Sequence, residues 1–285
     1  MSRIYITECP RDAMQGIKTF IPTELKLEYL QQLLKVGFDY LDYGSFVSPK
    51  AIPQMQDTPQ ITPLLQNQQT ALLAIIANLR GAEDAVKFDN VKYLGFPLSV
   101  SETFQHRNTN ASIEEAYQRI QEIQTLCNQH QKHLRVYLSM AFGNPYHEEW
   151  NAEKVISMAQ RLRDMGIKNI ALADTIGCST KENITYLFSR LIKALPDVKW
   201  IAHLHSTPHT AYEKIEAAYQ SGCRYFDTAL MGFGGCPMAK DELTGNIATE
   251  TLILFAQKNN LELNINLDEL NNAQSIAQKI FNQYH

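Results

Sequence analysis

Val36-Gly37-Phe38-Asp39-Tyr40, Met165-Gly166-Ile167-Lys168-Asn169 and Ser221-Gly222-Cys223-Arg224-Tyr225 share one plan. In each, an amphipathic stretch ends, a glycine follows, and a strand-like run begins. Glycine in that place suits the left-handed residue that closes a helix. Outward from these three junctions, short apolar β-rich runs alternate with helical periodicity from end to end. Strands are expected at 3–8, 40–44, 72–78, 91–98, 135–142, 169–174, 200–205 and 225–231. Helices are expected at 23–36, 112–131, 152–165, 182–194, 210–220 and 248–258, the second opened by the capping-box run Ser112-Ile113-Glu114-Glu115. Eight strand-like runs with short connections argue for a parallel sheet with right-handed crossovers, closed as a TIM (β/α)8 barrel of the α/β class. The other arrangement, an open doubly wound sheet, is disfavoured in its dinucleotide-binding form because no GxGxxG follows the first strand. No charge block or Pro/Gly/Ser linker divides the chain, so residues 1–285 are expected to form a single catalytic domain.

A length of 285 residues would ordinarily suggest two domains, but α/β barrels are the exception. The formal net charge of −4 provides no basic footprint and argues against a nucleic-acid partner. The cysteines, Cys9, Cys127, Cys178, Cys223 and Cys236, are odd in number and never in CxxC spacing, so neither a disulfide framework nor a zinc ribbon is indicated. A strand-like run begins at Arg3, which leaves no signal-peptide pattern, and no apolar stretch approaches the ~18 residues of a membrane span. A reduced, cytoplasmic protein without a membrane partner is expected.

In a barrel the chemistry gathers at the carboxyl ends of the strands. Polar residues do gather there: Arg11, Asp12 and Gln15 after the first strand, Asp42 and Ser45 at the second, Asn78 and Arg80 after the third, Ser101 and Glu102 after the fourth. Asp174 and Thr175 follow the sixth, His203 and His205 end the seventh, and Gly232-Phe233-Gly234-Gly235-Cys236 follows the eighth. His203 and His205 are two apart on a strand and so face the same side, where both imidazoles can reach one ion. An aspartate and a neutral amide oxygen would complete a set suited to Mg²⁺, Mn²⁺ or a zinc-class ion. The bland reading is a pair of hydrogen-bonded histidines. Asp12 can bind a cation while Arg11 offers a fixed fork to an oxyanion, or the two can form a strand-end salt bridge. Asp42 and Asp174 read equally as barrel-mouth carboxylates, general bases or helix caps. Gly234-Gly235-Cys236-Pro237 reads as a mobile flap carrying a thiol or as a tight turn.

Several segments, taken together and in order, resemble the 3-hydroxy-3-methylglutaryl-CoA lyases, within the wider superfamily of metal-dependent lyase and Claisen-synthase barrels. They are Cys9-Pro10-Arg11-Asp12-Ala13-Met14-Gln15, Ser45-Phe46-Val47-Ser48-Pro49-Lys50, Ser101-Glu102-Thr103-Phe104, Asp174-Thr175-Ile176-Gly177, the His203/His205 pair, Gly234-Gly235-Cys236-Pro237 and Gly245-Asn246-Ile247-Ala248-Thr249-Glu250. The S-F-V-S-P-K run and the G-G-C-P loop resemble the lyase branch, whereas R-D and H-x-H fit the condensing synthases equally. The resemblance implies that Asp12, His203, His205 and Asn246 bind a divalent metal, Mg²⁺ or Mn²⁺. It implies catalytic roles for Arg11, Asp42, Asp174, His203 and Cys236, with Arg11 stabilising a thioester enolate and Cys236 on a flap. Gln15, Ser45 and Asn108 would touch substrate. The implied reaction cleaves an acyl-CoA, 3-hydroxy-3-methylglutaryl-CoA, to acetyl-CoA and acetoacetate in a homodimer, as in leucine breakdown. The alternative is a related barrel enzyme for another 3-hydroxyacyl-CoA, or a Claisen-type synthase. Three departures stand out: Asp42 where the family has Glu, Ser206 where Asp or Asn follows the histidine pair, and a segment 238–244 one residue longer and poorer in glycine.

Overall fold

Parity along each strand decides which side chains face the barrel axis. The computed structural model describes residues 3–66, 69–235 and 244–284. Its strands are β1 (Tyr5–Glu8), β2 (Tyr40–Ser45), β3 (Ala71–Ile75), β4 (Val91–Ser99), β5 (His133–Ser139), β6 (Asn169–Asp174), β7 (Lys199–Ser206) and β8 (Tyr225–Thr228), with a two-residue β9 (Gly245–Asn246). β1 to β8 pair in parallel with their sequence neighbours, and β1 pairs β8, so the expected eight-stranded barrel closes. β9 runs antiparallel to β7 and sets Asn246 opposite His205.

The glycine junctions behave as read. Gly37 and Gly166 both have φ of 87° and Gly222 has 102°, each where a helix turns into the next strand. At Ser112, the side chain accepts from Glu115 N while Glu115 accepts from Ser112 N, closing the capping box. β3, β5 and β8 each end three residues short of the expected bounds. β3 stops at Ile75, and Asn78 instead caps the helix Leu79–Ala85 by accepting from Gly81 N. β8 stops at Thr228, ahead of a short 3-10 turn at Leu230–Gly232. Pro10–Gln15 is a helix with Pro at its first position, and Leu267–Tyr284 is a long helix that was not expected. No helix among the described residues is long and apolar enough to cross a membrane.

Aliphatic side chains fill the layer between barrel and helices, whereas much of the barrel lumen is aromatic and polar. Tyr5 stacks on Tyr225 with centroids 4.5 Å apart, and Tyr40 meets Tyr93 edge-on at 5.2 Å. Above them Arg135 donates to Thr7 Oγ1 at 3.0 Å and to Asp227 Oδ1 at 3.2 Å. This buried pair forms the floor beneath the strand ends.

Glu8, at the end of β1, is fully buried and accepts from Leu230 N at 2.7 Å and Thr249 Oγ1 at 2.6 Å. Burial pushes its carboxyl up to about 8, against the pull of those two donors. The unfolded chain releases this proton near 4.5, so the folded state holds a proton the unfolded state lacks between there and about 8. Stability contributed by the protonated group is therefore lost as pH rises through that window, at up to ~1.4 kcal/mol per pH unit. Glu8→Gln keeps an acceptor for Leu230 and a partner for Thr249. Urea unfolding of this variant is expected to lose that slope between about pH 5 and pH 8; a slope equal to the wild type's would contradict the assignment.

Candidate active site and metal centre

A cavity of about 540 Å³ opens at the carboxyl ends of the strands. Arg11, Asp12, Gln15, Asn108, His203 and His205 all line it. A larger groove of about 900 Å³ lies on the outer face near Glu28, Gln31 and Leu64 and holds none of the expected site residues.

Asp12, His203 and His205 each present a ligand atom, all within 4.8 Å of one another. Both imidazoles are fixed in tautomer. His205 Nδ1 lies 3.0 Å from the carbonyl of Thr175, which can only accept, so Nδ1 carries the hydrogen and Nε2 a lone pair. His203 Nδ1 lies 3.2 Å from Asp227 Oδ2 and is likewise the donor. His205 Nε2 is buried with no hydrogen-bond partner among the described residues. Such an atom costs free energy unless something answers it, and a cation between Asp12 and the two Nε2 atoms does so. The donor set therefore fits a divalent ion.

The electrostatics agree. Burial would raise the Asp12 carboxyl, but Arg11, with His203 and His205, brings it down to about 2, so it is an anion at neutral pH. Burial depresses the His205 imidazole, and the charge of His203 adds to that, so His205 stays neutral and free to ligate. For His203, burial works downward while the hydrogen bond to Asp227 prevails and raises it. A second cluster, Cys9, His203 and Asp227, is also close-set. Burial drives the Cys9 thiol well above its ordinary range, and it donates to Thr7 O, so this cluster lacks a thiolate.

Arg11 is held from two sides. Its Nε and Nη2 donate to the Asp42 carboxylate, Nη2 at 2.5 Å, and its Nη1 donates to Asp12 Oδ1 at 3.0 Å. Asp42 is fully buried and is not among the lining residues, so the structure brings it to Arg11 and not to the cavity wall. Ser45 is also off the wall, donating to Ile75 O and accepting from Val47 N. Asp174 points outward from β6 into contacts with Ser179 and Lys214, while its neighbours Ala173 and Thr175 line the cavity. Gln15 donates to Asp12 Oδ1 at 3.0 Å. Asn246 is in place but presents its amide nitrogen, donating to Asp12 Oδ2 at 2.7 Å and to Phe233 O at 2.9 Å. Ligation through its oxygen requires the amide to turn over. Gly234, with φ of 91°, leaves no room for a side chain, since a Cβ would sit 2.7 Å from that amide nitrogen. Cys236 and the segment 236–243 lie outside the described residues.

Residues 3–277 match the family model HMGL-like, nearly the whole length of the chain.

The chain belongs to the HMGL-like family.

Its relatives include the rat cytoplasmic 3-hydroxy-3-methylglutaryl-CoA lyase, 32% identical over 275 residues, covering 96% of this chain and 80% of the relative. A Pseudomonas aeruginosa 3-hydroxy-3-isohexenylglutaryl-CoA/hydroxy-methylglutaryl-CoA lyase is 33% identical, covering 91% and 85%. Among solved structures, an HMG-CoA lyase from Acinetobacter baumannii, in complex with coenzyme A and 3-methylmalate, superposes with a TM-score of 0.90 at 30% identity, covering 98% and 92%.

Four residues of this HMGL-like site escaped the sequence reading. Asp227 and Arg135 share the inward parity of Tyr225 and Tyr137 on their strands, a period-two signal that was present. Tyr137 lines the cavity and meets His203 edge-on at 5.5 Å. Lys214 carried no local signal, because its partners lie on other elements.

Proposed function

We propose that this HMGL-like chain is a divalent-metal-dependent carbon–carbon lyase that cleaves 3-hydroxy-3-methylglutaryl-CoA to acetyl-CoA and acetoacetate. The observation that carries the reading is the buried Nε2 of His205, without a partner among the described residues, beside Asp12 and His203, with the Arg11 guanidinium on the wall of the same cavity. Asp12, His203 and His205, with Asn246 once its amide turns, would hold the ion, Mg²⁺ or Mn²⁺. Such an ion supplies Lewis-acid polarisation of the substrate's hydroxyl and carboxylate oxygens.

With Asp42 held by Arg11 and Asp174 by Lys214, the tertiary hydroxyl gives up its proton to water in the cavity and its oxygen becomes the ketone of acetoacetate. Electrons of the breaking C–C bond move onto the thioester fragment as an enolate, and the same water returns the proton to that carbon, giving acetyl-CoA. Arg11, pre-set by Asp42 and Asp12, meets the negative charge as it develops on the enolate oxygen. Asp42 has its carboxylate bound to Arg11, so its part is to aim the guanidinium. Gln15 and Asn108 line the same cavity and are proposed to contact substrate. Cys236, which follows Gly235 in the sequence, is proposed as a catalytic thiol. The organisation of residues 1–285 as a single domain, the homodimer and the cytoplasmic setting belong to this proposal too.

One observation favours a wider substrate range. Val47, Ile52, Ile75, Pro97 and Phe104 form an apolar side of the cavity, and the P. aeruginosa relative is named for an isohexenyl as well as a methyl substrate. A panel of 3-hydroxy-3-alkylglutaryl-CoA thioesters, with acetyl-CoA plus a keto acid for the reverse sense, tests both readings. The highest kcat/KM is expected for 3-hydroxy-3-methylglutaryl-CoA. Faster turnover of a longer alkyl chain would move the assignment, and condensation without cleavage would overturn it.

A further inference from the structure

We propose that Lys214 is a positioning residue for His205, acting with Asp174 and Ser179; this inference rests on the metal-site reading above. Lys214 lies in the first turn of the helix Ala211–Gln220 and is buried. Its ammonium has three hydrogens and finds three acceptors: His205 O at 2.7 Å, Asp174 Oδ2 at 2.8 Å and Gly177 O at 3.1 Å.

Those acceptors sit at two neighbouring strand ends. His205 is on β7, whereas Asp174 ends β6 and Gly177 lies in the turn that follows, where Gly177 N donates to Asp174 O at 3.1 Å. Between Asp174 and Gly177 is Thr175, whose carbonyl receives the Nδ1 hydrogen of His205. One ammonium thus ties down both partners of the hydrogen bond that aims His205 Nε2 at the Asp12 cluster. Asp174 is itself locked, taking Ser179 N at 3.1 Å and Ser179 Oγ at 2.5 Å, so its charge serves Lys214 and is turned from the cavity.

A buried ion pair is weak evidence of stabilisation, because an apolar pair of the same shape often does as well. What it supplies here is direction. Support of this kind around a ligating histidine ordinarily governs metal affinity about 10- to 100-fold. Ser206, next to His205, lies opposite Gly245 in the β7–β9 pairing. Orientation of His205 comes from the Thr175 carbonyl and from Lys214, on the outer side of the barrel wall.

The test is Mn²⁺ binding to the metal-free protein, read from the free-Mn²⁺ electron paramagnetic resonance signal beside thermal melting. Lys214→Met alone strands the Asp174 carboxylate and is expected to lower the melting temperature. The paired variant Lys214→Met/Asp174→Asn removes both charges and is expected to regain most of that stability. It is still expected to bind Mn²⁺ about 10- to 100-fold more weakly. The Mn²⁺ concentration for half-maximal acetoacetate release should move by the same factor. A paired variant that binds Mn²⁺ as tightly as the wild type overturns the role of Lys214 and leaves the metal site standing. A wild-type protein that takes up no Mn²⁺ overturns both together.

Discussion

Arg11→Met is expected to lower kcat about 10²- to 10³-fold while moving KM little, the loss ordinarily seen when one donor to a developing oxyanion is removed. The size follows from how the guanidinium is held. Two of its nitrogens are fixed on Asp42 and a third on Asp12, so its direction is set before substrate arrives. Burial alone would weaken its charge, but Asp42 and Asp12 raise it, and Arg11 is a cation throughout the working pH range. Arg11→Lys is expected to recover little, because a point ammonium cannot make the forked contact with Asp42 and face the substrate as well. Asp42→Asn should lose activity through Arg11, as a loosened guanidinium. Since Arg11→Met leaves Asp42 buried without its counter-ion, the variant is also expected to be less stable by ~3–5 kcal/mol. The paired variant Arg11→Met/Asp42→Asn separates the two effects in steady-state kinetics. If it kept kcat within about threefold of the wild type, Arg11 would have no part in charge stabilisation.

The resemblance sets a glutamate, one methylene longer, where this chain has Asp42. In this chain the shorter side chain still reaches the guanidinium. Asp42 reaches Arg11 in a bidentate contact from the wall of the barrel, so the distance is met by the pair itself.

Much of this arrangement was legible in the residues, and the physical reasons differ by element. The helix–glycine–strand junctions at Gly37, Gly166 and Gly222 reported local backbone needs that no distant contact can override. His203 and His205 were legible because period two is geometric: on β7 both must face the axis. The same parity could have separated Ala173, which faces the cavity, from Asp174, which faces the helices, but the reading weighed residue type above position. Asp227 was readable in the same way, two residues on from Tyr225, as the carboxylate beneath His203. What parity cannot show is a tertiary contact. Lys214 meets Asp174 forty residues earlier in the chain, and only the closed barrel brings them together. Asn246 was placed by motif, yet the face its amide presents depends on Asp12 and the Phe233 carbonyl, which no motif records.

Removing the divalent ion is expected to abolish cleavage. Asp12 near 2 and a neutral His205 make a ligand set ready at neutral pH. The lone pair on His205 Nε2 has no partner among the described residues. Chelator-treated, folded protein would be given 3-hydroxy-3-methylglutaryl-CoA, and acetoacetate would be followed before and after adding Mn²⁺ or Mg²⁺. No measurable release is expected without the ion, with full recovery on its return and no recovery in Asp12→Ala or His203→Ala. Equal release with and without the ion would contradict this expectation, and would require the cleavage chemistry to be rebuilt around Arg11 alone.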